Sequence, residues 1–469
     1  MKGRTNRVSS LAKGPLRWSF SLSLSCVTLH NLRGLVIIGR RRPELLISVQ
    51  HARTSILEYF SLLPPEHVTL WEAATRVLAQ EVVAGHDVPP FRNSAMDGYA
   101  VRGADVTAAS RSAPVRLRVV AQVAAGALAE REVGPGEAVR IMTGAPMPDG
   151  ADAVVRFEDT SELWPVGERP ATPIVAICQA VPPWENVRAA GEDLREGEAV
   201  LPSGTLLRPA HLGVLASLGW GRLPVVRRPR VAILATGDEL VNADAPLEAG
   251  KIRNSNETTM AALVAQAGGE PLPLGIARDN VESLSAKLRE GLAAGVDLFL
   301  TSAGVSVGDY DIVKEVLAAE GEMTFWQVAI KPGKPLAFGL LNHESRRVPL
   351  LGLPGNPVAA MVAFHVFAQP AIRLMGGRVP LFPPVYQARL LDSIENSGRR
   401  HYMRARYSRA EDGTLEVATR GSGVRVQGSG ILSSMVWANC FVVVPETVNS
   451  LPVGATVEIE PFVWVEEDV

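Results

Sequence analysis

Three short apolar runs punctuate one half of this 469-residue chain, at 231–235, 297–301 and 349–353. Each is strand-like and leads into a loop suited to holding an anion: ATGDE at 235–239, TSAGVSVGDYD at 301–311 and LPGNP at 353–357. Helical patterns follow the second and third loops. Repeated strand–loop–helix units predict a parallel sheet. In such sheets ligands bind where the carboxyl ends of strands meet helix N-termini. The three loops together therefore predict one composite phosphate or nucleotide site.

The pattern elsewhere is different. Residues 49–63 read as a helix stopped by Pro64-Pro65, and a second helical stretch is expected at about 70–81. From Pro89 to about Val181 short valine runs, such as 115–123 and 151–157, lie among prolines and glycines, which predicts a small β-rich domain. Pro209 opens an apolar helix over 209–219 that Gly219 ends, the usual punctuation of Pro at the start and Gly at the stop. PVVRRPR, 224–230, reads as a linker. Asn254-Ser255-Asn256 can cap a helix in which Met260, Leu263, Val264 and Ala267 recur at helical spacing, and Gly268-Gly269 ends it. From about Pro380 short alternating strands and Gly-rich turns predict a small β-barrel. Within it, GSGVRVQGSG at 421–430 is loop chemistry, because its glycines lack the strand–turn–helix context of a dinucleotide fingerprint.

Composition narrows the function classes. Apolar content of 47% with 20% charged residues marks a folded protein of several domains. The net charge is -2, but residues 1–43 hold nine Lys or Arg and no acid, so the remainder carries 38 basic against 49 acidic residues, or -11. An acidic body argues against nonspecific nucleic-acid binding, and it leaves any anionic substrate to local cations and backbone N–H groups. Cys26, Cys178 and Cys440 are too far apart to form a metal or redox pattern; buried or incidental thiols in a reducing cytoplasm are expected. No run approaches 18 uninterrupted apolar residues, so no membrane span is expected. The basic segment 1–43 has features of a transit or a poor signal peptide, and is read as a disordered or artefactual extension.

Several short strings carry candidate chemistry, and each has a plainer alternative. SVGDYD, 306–311, sets Asp309 and Asp311 beside Gly308. Its N–H groups suit a phosphate, and a carboxylate there would repel that phosphate unless a divalent cation lay between. Asp311 thus reads as a magnesium ligand, or else as a helix cap. IKPGKP, 330–335, fixes Lys331 and Lys334 on a stiff loop that either binds an oxyanion or is a solvated basic turn. LPGNP joins a strand to a long apolar helix, with Asn356 suited to the cap and Pro357 to the first turn. Asp97 in SAMDGYAV, and Arg188, Glu192 and Asp193 in RAAGEDL, would each pass alone for a loop residue. No histidine cluster has ligand spacing and no Ser/His/Asp pattern is evident.

Together these strings resemble one family, the molybdopterin molybdenumtransferases, to which the C-terminal part of gephyrin also belongs. The matching strings are NSAMDGYAVR, RIMTGAPMPDGADAVV, RAAGEDL, ATGDEL, KIRNSN, SAGVSVGDYD, IKPGKP, GLPGNPVA and GSGILSSM with Ala438-Asn439, in family order from about residue 46 onward. The resemblance implies an α/β multidomain protein. A helical linking domain would occupy 44–88 and 182–226, a β-rich N-terminal domain 89–181, a parallel-sheet molybdopterin-binding α/β domain 227–376 and a C-terminal β-barrel domain 377–469. It implies a cytoplasmic, elongated homodimer acting on adenylylated molybdopterin and molybdate, with Mg²⁺ and release of AMP. It implies catalytic roles for Asp97, Asp193, Glu239, Asp279, Asp311 and Lys331, with Glu239 and Asp311 on the metal. Substrate contacts are implied for Thr143, Arg188, Ser302, Gly304, Ser306, Gly308, Gly333, Lys334, Pro354, Gly355 and Asn356. Candidate protein partners are the molybdopterin adenylyltransferase and molybdoenzyme chaperones; no nucleic acid and no membrane is expected.

The chain departs from the family pattern in two places. Gln327 stands where many members have a basic residue, and Ala303 replaces a usual glycine, which makes that loop less free. Two other readings remain. One is the preceding adenylylation of molybdopterin, which a related α/β domain performs; the additional domains argue against it. The other is a peptide-binding scaffold such as gephyrin, which would not need the acids and lysines that this chain keeps. Asp97 and Thr143 lie far in sequence from the α/β loops, so they are expected to reach the site across a cleft, from the partner subunit.

Overall fold

The computed structural model describes residues 46–162, 173–302, 316, 321–421 and 427–462. The α/β domain is built on a six-stranded sheet. Four strands are parallel, in the order Glu270–Ala277, Arg230–Thr236, Leu298–Ser302 and Arg346–Leu353. The antiparallel strands Pro335–His343 and Gly321–Gln327 extend one edge. The three apolar runs thus stand side by side, and their loops leave the same end of the sheet.

Helices cover both faces. Leu284, Leu288 and Leu292 of Val281–Ala293 pack on one. On the other, Met260, Leu263 and Val264 of Ser255–Ala267 meet the apolar helical stretch from Pro357 to Met375. That 19-residue stretch is long and apolar enough to cross a membrane by length and composition, but most of it is buried inside the protein. It changes from α to π geometry over Phe364–Ala368.

The C-terminal strands close on themselves. Tyr386–Leu390, Leu415–Ala418, Arg400–Arg409, Cys440–Val444 and Thr456–Pro461 pair in a ring of five. This barrel shares a core with the α/β domain, because Tyr402, Phe441 and Phe462 sit in one apolar cluster with Phe364 and Phe367. One further strand pair crosses the junction. Ile330–Lys331 runs parallel to the barrel strand, with Ile330 opposite Arg400 and Lys331 opposite His401.

The β-rich region is a separate mixed six-stranded sheet with its own cores. In it Asp97 occupies a bend before the strand Gly98–Val101. Gly98 is required by close approach: a Cβ there would overlap the Val155 carbonyl oxygen of the neighbouring strand.

Two expected helices differ. The first spans Val49–Leu57 only; Phe60 is buried with the α/β core, and the Leu63 amide bonds to the Met375 carbonyl, which draws the chain off the helical path. No helix forms at 70–81. Residues 70–75 make turns, and Val77 and Leu78 instead bridge to Leu206 and Val225. Tertiary pairing outweighs a modest local helical preference here. Beyond Val49–Leu57, the described residues of the linking region form the helix Pro209–Ser217, with the strand pairs Pro65–Thr69/Arg222–Val226 and Val82–Val83/Ala199–Leu201 around a core of their own.

Gly98→Ala should destabilise the β-rich region by about 1–3 kcal/mol, the usual cost of overpacking a filled site. Gly213→Ala, in a helix with open space around it, should leave stability unchanged or raised. Thermal unfolding of the two variants checks this: equal midpoints would contradict the close-approach account.

Candidate functional site

The sheet's carboxyl end opens into a cleft of about 900 Å³ between the α/β domain and the barrel. Glu239, Ser302, Lys331, Gly333, Lys334, Pro354, Gly355 and Asn356 all line it. These come from four chain segments that the sheet order brings together. The helix Ser255–Ala267 begins at its wall, capped by Asn254, whose side chain accepts from the Glu257 amide at 3.3 Å. The apolar helix starting at Pro357 begins there too, after Asn356. Helix N-termini present free N–H groups and a positive end, which favours an anion.

Charge points the same way. Among the described lining residues Lys331, Lys334, Arg253 and Arg399 face one carboxylate, Glu239. Gly333 takes φ +106°, a backbone state that suits glycine and keeps the KPGKP turn free of a Cβ. Two polar atoms at the cleft are buried without a partner, Asn256 Oδ1 and His401 Nδ1. Asn256 is held in place through Nδ2, which donates to the Gly355 carbonyl at 2.8 Å. Buried polar atoms are normally satisfied by protein or ordered water, so these two leave hydrogen-bonding capacity open to water or to polar groups of a ligand.

His401 was not legible as a site residue. Burial, followed by the cations of Lys331, Arg404 and Arg399, pushes its imidazole down to about 3. It therefore stands neutral among cations. Arg399 was also missed; its Nη1 donates to the Ile330 carbonyl at 3.3 Å. Arg253 belongs to the KIRNSN string and could have been found there. Gln427, Ser429 and Gly430 belong to the stretch read as loop chemistry, and they complete the barrel side of the cleft. The Val358 amide donates to the Ser429 carbonyl at 3.0 Å, which joins this loop to the second helix start.

Other expected residues lie elsewhere. Asp279 is exposed, and the Asp238 N–H donates to its carboxylate at 3.2 Å; it is not on the cleft lining. Asp97 and Thr143 form a local pair in the β-rich region: the Thr143 amide and hydroxyl donate to Asp97 Oδ1 at 2.7 and 2.8 Å. Those bonds hold the Asp97 carboxyl below its ordinary range. Arg188 pairs in register with Asn93, and Arg188, Asp193 and Asn93 line a second hollow of about 420 Å³. None of these four lines the first cleft. Gly304, Ser306, Gly308 and Asp311, with the variant Ala303, lie outside the described residues. Gln327 ends the strand beside the KPGKP turn without lining the cleft, and its carbonyl accepts from the Ile47 amide at 2.9 Å.

Comparison with known proteins covers nearly the whole described chain. Residues 47–219 match the "MoeA N-terminal region (domain I and II)", 232–374 the "Probable molybdopterin binding domain", and 387–462 the "MoeA C-terminal region (domain IV)". A molybdopterin molybdenumtransferase of Haemophilus influenzae is 37% identical over 420 residues, covering 89% of this chain and 99% of the relative. One of Nostoc sp. is 39% identical over 383 residues, covering 81% and 85%. The crystal structure of a molybdopterin biosynthesis MoeA protein from Pyrococcus horikoshii superposes with a TM-score of 0.70 at 30% identity, covering 89% of this chain and 99% of that one.

The neutral state of His401 gives a signed pH dependence. An unfolded histidine titrates near about 6.5, whereas the folded one is held at about 3. As pH falls from 6.5 toward 3 the unfolded chain takes a proton that the folded chain refuses, so this share of stability is present above 6.5 and lost on acidification. At pH 5 the loss should be about 2 kcal/mol. Thermal midpoints at neutral pH and pH 5 should fall less in His401→Gln than in the parent; equal falls would contradict the assignment.

Proposed function

The chain belongs to the molybdopterin molybdenumtransferase family, enzymes of molybdenum-cofactor biosynthesis, and we propose that it acts on adenylylated molybdopterin and molybdate in the cleft between the α/β domain and the barrel. The observation that carries this reading is the cleft itself. It joins four cations, two helix starts and two unpartnered polar atoms, in a volume typical of small-molecule sites. A phosphoanhydride between molybdopterin and AMP would bring charge to those groups. As it breaks, the oxygen of a water attacks phosphorus and AMP leaves with the extra negative charge; the two dithiolene sulfurs bind molybdenum, and the molybdate oxygen they displace leaves as water with the two thiol protons.

The chain's own groups divide the work. Lys331 and Lys334 hold phosphate oxygens on a turn that Gly333 and the flanking prolines keep stiff. The N–H groups at Asn356 and Ser255 add fixed dipoles aimed at the same anion. His401 and Asn256 hydrogen-bond polar groups of the substrate as neutral partners. Mg²⁺ suits this donor set, since it binds one or two carboxylates together with substrate phosphates; Glu239 and Asp311 would hold it. Bound there, Mg²⁺ would neutralise phosphate charge as the anhydride opens.

Asp97, Thr143, Arg188 and Asp193 belong to the same proposal through a second copy of the chain. They cluster in the β-rich region, away from the cleft lining. In a homodimer one subunit's cluster would close over the other's cleft and present the ionised Asp97 to the substrate.

Lys331→Ala and Lys334→Ala should each weaken substrate binding by one to two decades, since a charge-assisted contact contributes roughly 1.5–3 kcal/mol. Equilibrium binding at low salt checks this, and wild-type affinity in both variants would reduce KPGKP to a turn.

The shared site is tested by mixing inactive Asp97→Ala with inactive Asp311→Ala subunits. Random exchange makes about half the dimers mixed, each with one intact site, so roughly a quarter of sites should regain AMP release. Verified exchange with no recovered activity would refute the arrangement.

A further inference from the structure

The PVVRRPR segment is more than a connection. It runs along a second cleft of about 940 Å³ between the linking region and the α/β domain, lined by Arg76, Arg227, Arg228, Arg230 and Arg378. Three of these arginines have carboxylate partners. Arg76 pairs with Glu66, Arg227 grips Asp297 with two bonds of 2.9 and 2.7 Å, and Arg230 lies 3.6 Å from Glu270. The remaining carboxylate of the lining, Glu72, accepts from the Thr69 amide and hydroxyl.

Arg228 and Arg378 differ. Among the described residues neither has a carboxylate partner. Their guanidinium groups hydrogen-bond among those residues only to Thr75: Arg378 Nη2 donates to its carbonyl at 2.8 Å and Arg228 Nη2 to its hydroxyl at 3.5 Å. Arg378 also lies over Gly268, where a Cβ would collide with its guanidinium, at the negative end of the helix Ser255–Ala267. Burial comes first in holding both guanidiniums below the usual arginine range. Neighbouring arginines come next, Arg76 for Arg228 and Arg373, Arg228 and Arg76 for Arg378, while the Glu270 and Glu66 carboxylates act the other way on Arg228. Two half-buried guanidiniums thus repel each other with most of their N–H donors unused. On the rim Trp71 is 93% exposed and offers a flat ring face.

We propose that this arginine cleft is a second anion site, taking a phosphate monoester that also bears a planar heterocycle, with the phosphate between Arg228 and Arg378 and the heterocycle against Trp71. Paired guanidiniums match phosphate oxygens through parallel N–H donors, and an indole face suits a planar heterocycle. The site shares no lining residue with the cleft assigned to catalysis, so it stands independently of that assignment.

AMP and inorganic phosphate serve as probes on the full chain. In Lys331→Ala/Lys334→Ala, whose catalytic cleft is weakened, calorimetry should still find an AMP site, with AMP binding more tightly than phosphate. Adding Arg228→Gln and Arg378→Gln should weaken AMP binding by at least roughly tenfold, and Trp71→Ala should bring AMP down to the affinity of phosphate. Should the arginine variants fail to fold, the unaltered protein still decides. AMP should slow modification of Arg228 and Arg378 by an arginine-specific dicarbonyl, read by peptide mass. Absence of AMP binding to the lysine variant at millimolar concentration, unchanged binding after the arginine substitutions, or unprotected Arg228 and Arg378 would overturn the site. Equal affinity for AMP and phosphate would overturn its ring requirement.

Discussion

The parallel pairing of Ile330–Lys331 with the barrel strand at Arg400 and His401 is the contact on which the cleft depends. It ties two domains through backbone bonds, among them Arg400 N–H to the Ala329 carbonyl at 2.9 Å. It also fixes where Lys331 stands relative to Arg399 and His401. Without it the α/β sheet would present an open set of loops, as sheets of this type do at their carboxyl ends. With it, a barrel wall faces the loops and turns a surface into a cleft. The shared core, with Tyr402 and Phe441 in one cluster with the apolar helix, anchors that wall.

The same contact explains the electrostatics. Beyond residue 43 the chain is acidic overall, yet the charged residues described on the cleft lining are mainly cations. Collecting Lys331, Lys334, Arg253 and Arg399 in one place costs repulsion that an anionic substrate relieves. His401 reports both effects: burial first, and then the charges of Lys331, Arg404 and Arg399, keep its imidazole neutral down to about pH 3. Preorganised charge of this kind acts most strongly where water is excluded.

Much of the α/β half was legible because its signals are local. Apolar runs of strand length, a capping asparagine before a helical period, and glycines at turns each report on a few neighbouring residues. The strands at 231–235, 297–301 and 349–353, and the helix capped by Asn254, follow from such signals. The stretch at 70–81 misled for the opposite reason. Its residues pair with 205–207 and 225, partners that no local window contains. The barrel wall was illegible in the same way, because Arg399 and His401 gain their meaning only through Ile330 and Lys331. Gly98 is a mixed case: the Asp-Gly pair reads as a turn, whereas the glycine is demanded by a strand packed against it. The family resemblance supplied what local patterns could not, namely that Asp97, Arg188 and Lys331 belong to one enzyme.

The central claim is that substrate lies between the sheet loops and the barrel. Amide hydrogen exchange, with and without adenylylated molybdopterin, tests it most directly. The account predicts that substrate slows exchange on both walls at once, at 331–334 and 355–358 on the α/β side and at 399–401 and 427–430 on the barrel side. Protection confined to the α/β loops, with the barrel segments unchanged at saturating substrate, would contradict it.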